Sequence, residues 1–482
     1  MQRFTALVLC LLFLTSTKLL AQNQNDTIYQ PAEMMEDFNY LHTHLQLNHP
    51  GFYRYTNKPT WDSIYAVTLN ALQTPLQDIK YRLVLRHYLT YLKCGHTQII
   101  PSLNSIKNYE KRKHKSVPFK VIIANNKLIV SENLSNDNTL EKGTEIKSIN
   151  QNDASTIIEK IHSIQSADAG LISMKNYYGA SQFASYYNAF YGEDSIYTLS
   201  CIKPNGDTIT LAVKEKPKTK TKKIALKLKP SKTLFNQPFA EFRICEGDSQ
   251  TAILKIKGFQ IENARKLYAR AFEKIENEEI KYLIIDLRGN GGGNIMDAAE
   301  LISYVSKDTF SYDFVRGKQG LTYKKHATQK LIYYFSRTML DMFGNRTEAN
   351  NQYNYHFDYN KKAIKKDNHF NGAIFCLVDN GSFSAASFVA AYLKHKCGAI
   401  LIGQETAGTE SGCYAINTPF LELPITKNFI RIPHYQFKHQ LPIYDAERGV
   451  LPQIETPINS QTINSKNDEE MDLIWKLIFE NK

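Results

Sequence analysis

A glycine-rich break carries the first chemical signal of this chain. In Tyr282–Asn294, YLIIDLRGNGGGN, a short apolar run ends in Asp286-Leu287-Arg288 and gives way to four glycines around Asn290. An apolar run of that length bounded by glycine predicts a buried strand. From Ile295 to Val305 the apolar residues recur at helical spacing, so the glycines form a strand-to-helix turn. Consecutive glycines leave backbone N–H groups unshielded at the positive end of a helix, a setting for a phosphate or for a transient oxyanion. A second unit of the same kind follows in AIFCLVD, NGSFS and AASFVAAYLK, with Ser384 where strand gives way to helix. A nucleophilic serine needs access, a base to take its proton and donors for the oxyanion. The turn supplies access, and the N–H of Ala385 together with the glycine turn are the candidate donors. Ser382 and Ser387 are neighbouring alternatives, and a serine here also serves as an ordinary helix N-cap.

The elements that position these turns follow from pattern. At 482 residues, with 43% hydrophobic and 12% aromatic residues, the chain suits two or three ordered domains and excludes disorder. Arg3, the apolar run Phe4–Leu14 and the small and polar residues to Ala21 predict a signal peptide over residues 1–21. An exported protein, periplasmic or extracellular, is therefore expected, with no stable membrane insertion once the signal is removed. Residues 22–114 read as helical, from Met34, Phe38, Leu41 and Leu45 to Leu89 and Leu92, and end at Cys94-Gly95-His96-Thr97. Residues 115–215 read as short strands with one or two helices, one of them starting at Ala154. Residues 216–235 read as a lysine-rich linker. Residues 236–482 read as the core, with an aromatic, polar insertion at about 312–370 that includes a helical piece near Lys330–Met342. Repeated strand–turn–helix units imply a layered α/β architecture.

Composition narrows the partners. The net charge of +12 owes much to nine lysines between Lys214 and Lys232, which read as a solvated ribbon. Without a recognisable nucleic-acid module, no nucleic acid is expected as a partner. Beyond the leader, Cys94, Cys201, Cys245, Cys376, Cys397 and Cys413 are scattered without metal-ligand spacing and read as buried free thiols. No metal and no organic cofactor is implied. The glycine turn starts as G-x-G, but Asn294 stands where a dinucleotide fingerprint needs its third glycine. An α/β-hydrolase elbow is excluded because Ser382 and Ala386 flank Ser384 where G-x-S-x-G needs glycines.

Five motifs in order then carry a family resemblance. They are Cys94 to Thr97; Asp286, Arg288, Asn290, Gly292 and Gly293; Gly381, Ser384, Ala385 and Ala386; Gly403, Thr406 and Gly408; and Glu447 to Pro452. This pattern, with Gly143–Asn150 between the first two, resembles the tail-specific (C-terminal processing) protease and tricorn-core serine peptidase family over nearly all of the mature chain. The resemblance implies a crotonase/Clp-protease-like core, a helical N-terminal domain and a PDZ-like domain at 115–215. It implies Ser384 as nucleophile and an oxyanion hole from the N–H of Ala385 and of Gly292 or Gly293. One branch of the family uses a lysine at the position of Thr409, so a Ser-Lys dyad is not available here. The tricorn-like branch uses a histidine, matching His96, assisted by a glutamate, matching Glu447. The implied activity is hydrolysis of proteins or peptides through an acyl-enzyme. The rival is a secreted, inactive peptide-binding protein that works through the PDZ-like domain. Joint retention of Ser384, His96 and Glu447 argues against that rival.

Overall fold

The computed structural model of the protein describes residues 27–215, 231–246, 250–317, 338–342, 345–349, 352–359, 368–442, 445–465 and 467–480. The expected signal peptide, residues 216–230 of the lysine-rich stretch and most of the Lys330–Met342 piece lie outside the described residues. No described helix is long and apolar enough to cross a membrane.

Local signals start the N-terminal helices Pro31–Asn48, Lys58–Ala71 and Asp78–Thr90. Gln30 and Glu33 form a capping box with Pro31 in the first turn, and Asn57 caps the second helix by accepting the Thr60 N–H. Met34, Phe38, Trp61, Leu85 and Tyr88 from these helices share a core with Tyr414, Leu421 and Ile430 from late in the chain. The short strand Gln98–Ile100, directly after His96, pairs antiparallel with Phe429–Arg431, which pairs with Phe420–Glu422. That three-stranded patch fastens the His96 segment to the C-terminal half.

Residues 119–213 form a further layer, whose core also takes in Val117 and, from the helix Asp78–Thr90, Ile79 and Leu83. The strands Phe119–Ala124, Lys127–Asn133, Glu145–Ile149, Tyr197–Ile202 and Thr208–Val213 lie side by side and antiparallel. Helices Ala154–Ile164, Ile172–Ser181 and Phe183–Tyr191 connect the third strand to the fourth, more helix than the sequence pattern predicts. Ile172–Ser181 has little contrast between its faces, so periodicity does not announce it.

The core sheet has seven strands among the described residues. In order they are Ser231–Asn236, Ala240–Cys245, Thr251–Ile256, Tyr282–Asp286, Ala373–Val378, Ile400–Gly403 and Ile454–Glu455, the first two joins antiparallel and the rest parallel. Strand alternation sends Leu283 and Ile285 into one core and Ile284 into another. Helices Ala264–Asn277, Ile295–Ile302 and Ala385–Lys396 cover the first face, and Glu469–Glu480 covers the second through Met471, Ile474 and Trp475. Burial on both faces explains the continuous apolar runs of these strands. The first strand begins inside the stretch read as linker, because Leu234 and Phe235 pack on the core.

The stretch read as an insertion is largely strand where it is described. Phe310–Gly317, Asn345–Ala349 and Gln352–Tyr359 join Tyr435–His439 and Cys413–Ala415 in a second sheet. The alternation of Tyr353, Tyr355 and Phe357 is the matching signal in the sequence. The mixed α/β class expected from the strand–turn–helix units is the class observed.

Candidate active site

The glycine turn and the serine turn lie side by side because their strands, Tyr282–Asp286 and Ala373–Val378, are neighbours in the sheet. Parallel strands place both turns at the same edge, where open α/β sheets collect their chemistry. Asn290 staples the two turns. Its carbonyl accepts the Phe383 N–H at 2.9 Å, and its side-chain amide donates to Ile256 O at 2.9 Å. Asp379 adds a second staple by accepting the Gly289 N–H at 2.8 Å and the Gly381 N–H at 3.0 Å.

Ser384 is held in a conformation that side chains other than glycine rarely adopt, with φ 56° and ψ −117°. Such strain costs about 1–3 kcal/mol and persists only where the surroundings over-determine it. Here the Phe383 N–H is tied to Asn290, and the Phe388 N–H reaches back to Ser384 O at 3.1 Å. The three candidate serines separate clearly. Ser382 Oγ donates to Leu287 O and Ser387 Oγ to Ser382 O, and both are buried structural ties. Ser384 Oγ instead lies 3.2 Å from His96 Nε2.

His96 is 7% exposed and stacks on Phe383 with ring centroids 4.5 Å apart. Burial, with Arg431 adding to it, pushes its imidazole down to about 3, so at neutral pH it is an uncharged proton acceptor. Gly95 fits because a Cβ there would lie 2.3 Å from Met174 Cε. Cys413 lies against the Ser384 hydroxyl, and burial keeps its thiol protonated, well above the usual range.

The two turn glycines differ in what their N–H groups do. Gly292 donates to Asn290 Oδ1 at 2.9 Å and so is already committed. The N–H groups of Gly293 and Ala385 have no acceptor among the described residues. Gly292 is needed for closeness: φ is +95°, and a Cβ would lie 2.7 Å from both Phe383 O and Ser384 Cβ and 3.0 Å from Ala385 N. Gly292→Ala is expected to lower kcat by about 10²-fold or more with a smaller change in KM, read from steady-state peptide hydrolysis.

The remaining candidate from the motifs is Glu447. It is exposed on a turn, its N–H donates to Asp445 Oδ1 at 2.9 Å, and among the described residues no hydrogen bond joins its carboxylate to His96. Thr409 bridges Gly449 through its backbone and donates its hydroxyl to Gly412 O, a structural tie. Arg288 pairs with Asp286, Asp468 and Glu470, which docks the final helix. Sequence reasoning missed Asp379, although Asp379-Asn380-Gly381 is a turn signature that marks it. It also missed Asp168, which is buried and accepts the Gly95 N–H at 2.7 Å.

A strained serine against an imidazole, followed by the uncommitted Ala385 N–H and with the uncommitted Gly293 N–H in the adjoining turn, is an arrangement suited to acyl transfer. Comparison with known proteins points the same way: residues 250–437 match the profile described as peptidase family S41. Residues 250–437 are thus similar to the peptidase family S41 domain. That similarity makes the chain a serine peptidase by class. Among solved structures, mature CPAF complexed with lactacystin superposes with a TM-score of 0.64 at 13% identity, covering 94% of this chain and 99% of that one. Mature CPAF in another structure gives 0.62 at 13%, covering 93% and 98%. A putative peptidase from Parabacteroides merdae ATCC 43184 gives 0.46 at 12%, covering 93% and 97%. At such identities the likeness to CPAF is one of fold, extending well beyond the S41 domain. No curated protein sequence matches.

Proposed function

We propose that this chain is an exported serine endopeptidase of the histidine-using kind, with Ser384 as nucleophile and His96 as general base. The observation that carries this reading is the 3.2 Å approach of Ser384 Oγ to His96 Nε2, between residues 288 apart in sequence. As the Ser384 oxygen bonds to a peptide carbonyl carbon, its proton passes to His96 Nε2. The carbonyl oxygen takes up negative charge and meets the N–H groups of Ala385 and Gly293. Collapse breaks the C–N bond, and His96 returns the proton to the departing amine. A water molecule, deprotonated by the same imidazole, then releases the acyl group.

A groove of about 910 Å³ opens near the start of the serine turn and is the candidate path for substrate. Val121, Ile122 and Ile123 line it together with Asn176, Tyr177 and Ala180, and Asp379 and Asn380 line it where the serine turn begins. Phe119–Ala124 lies at the end of its sheet among the described residues, so an extended peptide can add as a strand. An edge strand beside a helix, with five antiparallel strands in the layer, supports the PDZ-like reading of residues 115–215. The test is a fluorophosphonate probe followed by peptide mapping. The adduct is expected on Ser384, and an adduct confined to another residue overturns the assignment.

A further inference from the structure

We propose that Asp168 is the carboxylate that orients His96 and stabilises its protonated form, so that the 115–215 layer supplies a residue to the catalytic apparatus. The inference rests on the reading of Ser384 and His96 given above. If Nε2 accepts the serine proton, the resting imidazole carries its own proton on Nδ1. That Nδ1 is buried and has no hydrogen-bond partner. Asp168 Oδ2 is also buried and also has none. One carboxylate oxygen of Asp168 and one ring nitrogen of His96 lie within 4.8 Å of each other, with Cys413 Sγ in the same cluster. A buried donor without an acceptor and a buried acceptor without a donor thus belong to two side chains that share one cluster. Catalytic hydrogen bonds are commonly long before substrate binds and tighten in the complex.

Asp168 is already fastened to the segment it would serve. Its Oδ1 takes the N–H of Gly95, the residue before His96, at 2.7 Å. The backbone behind it is pinned as well, with the Ala169 N–H on Lys93 O at 3.0 Å and the Leu171 N–H on Asp168 O at 2.9 Å. Ala167, Leu171 and Met174 from the same segment pack with Phe383 and Ala407 beside the nucleophile. Glu447, which the family resemblance offers for this role, is exposed and makes no bond to His96 among the described residues.

The charges balance through the step. When Ser384 transfers its proton, His96 becomes a cation in a buried site, and ionised Asp168 neutralises it without itself gaining the proton. Arg54 is the cation facing Asp168. The phenols of Tyr55, Tyr178 and Tyr414 and the thiols of Cys94 and Cys413 face it as neutral groups. Burial pushes the Asp168 carboxyl up to about 7, against the pull of the Gly95 N–H and Arg54. An acid that must be ionised to work then gives kcat/KM a limb that rises with pH through about 7.

The deciding variant is Asp168→Asn, which keeps an oxygen for the Gly95 N–H and removes the charge. A loss in kcat of about 10²- to 10⁴-fold is expected, with KM within threefold, slower fluorophosphonate labelling of Ser384 and loss of the limb near pH 7. Asp168→Glu is expected to recover part of the rate, and Glu447→Gln to lose less than Asp168→Asn. If Asp168→Asn does not fold, Arg54→Met supplies the second reading, since removing the facing cation should move the limb to higher pH. An Asp168→Asn enzyme with unchanged kcat and pH profile, or a larger loss in Glu447→Gln, overturns the proposal. Failure of the underlying reading looks different: the wild-type protein is then not labelled at Ser384.

Discussion

Ser384→Ala is expected to abolish fluorophosphonate labelling and to lower kcat by about 10⁴- to 10⁶-fold. The size follows from the role, since no other described hydroxyl stands against an imidazole at the serine turn. Ser382 and Ser387 are tied to backbone carbonyls. Cys413 is the nearest potential substitute, but its thiol stays protonated. Fold should be nearly untouched, because Ser384 makes no side-chain cap to the helix it precedes and alanine keeps its Cβ. A thermal melt close to the wild type's, beside lost turnover, separates catalysis from folding. The residual rate should still exceed that of uncatalysed hydrolysis, because the N–H groups of Gly293 and Ala385 are left in place. Sustained labelling of the variant would remove Ser384 from the reaction.

His96→Ala is expected to cost a similar factor, and the double variant with Ser384→Ala to be no slower than either single one. Residues that act as one unit fail together, so their losses do not add. Independent roles would instead multiply the two losses, and steady-state rates for the three variants distinguish these outcomes. His96→Ala also empties a space against Phe383, so some loss of stability is expected beside the loss of rate. A denaturation midpoint measured for each variant keeps the two effects apart.

The parts of this site legible in the sequence are those set by local chemistry. The glycine turn and the Ser384 turn could be read because strand periodicity and glycine punctuation act over a few residues. The choice between Gly292 and Gly293 could not, since both have the right type and position. It turns on Asn290 Oδ1, which takes the Gly292 N–H. Asp168 gave no signal, because Ser166-Ala167-Asp168-Ala169-Gly170 has neither periodicity nor motif spacing. Its meaning comes from a contact with Gly95 across 73 residues of chain. Glu447 shows the reverse: its motif marks it in the chain, while its side chain is exposed and makes no hydrogen bond to His96 among the described residues. The strands inside 312–370 were legible in principle, but their aromatic alternation competed with a helical piece beside them.

The pairing of Gln98–Ile100 with Phe429–Arg431 anchors the His96 segment to strands that come after Ser384 in the chain. A polypeptide still being made, or clipped before residue 429, carries the serine without that anchor for its histidine. On the proposed assignment, the reactive pair is assembled only in a chain whose ends have both been folded into place.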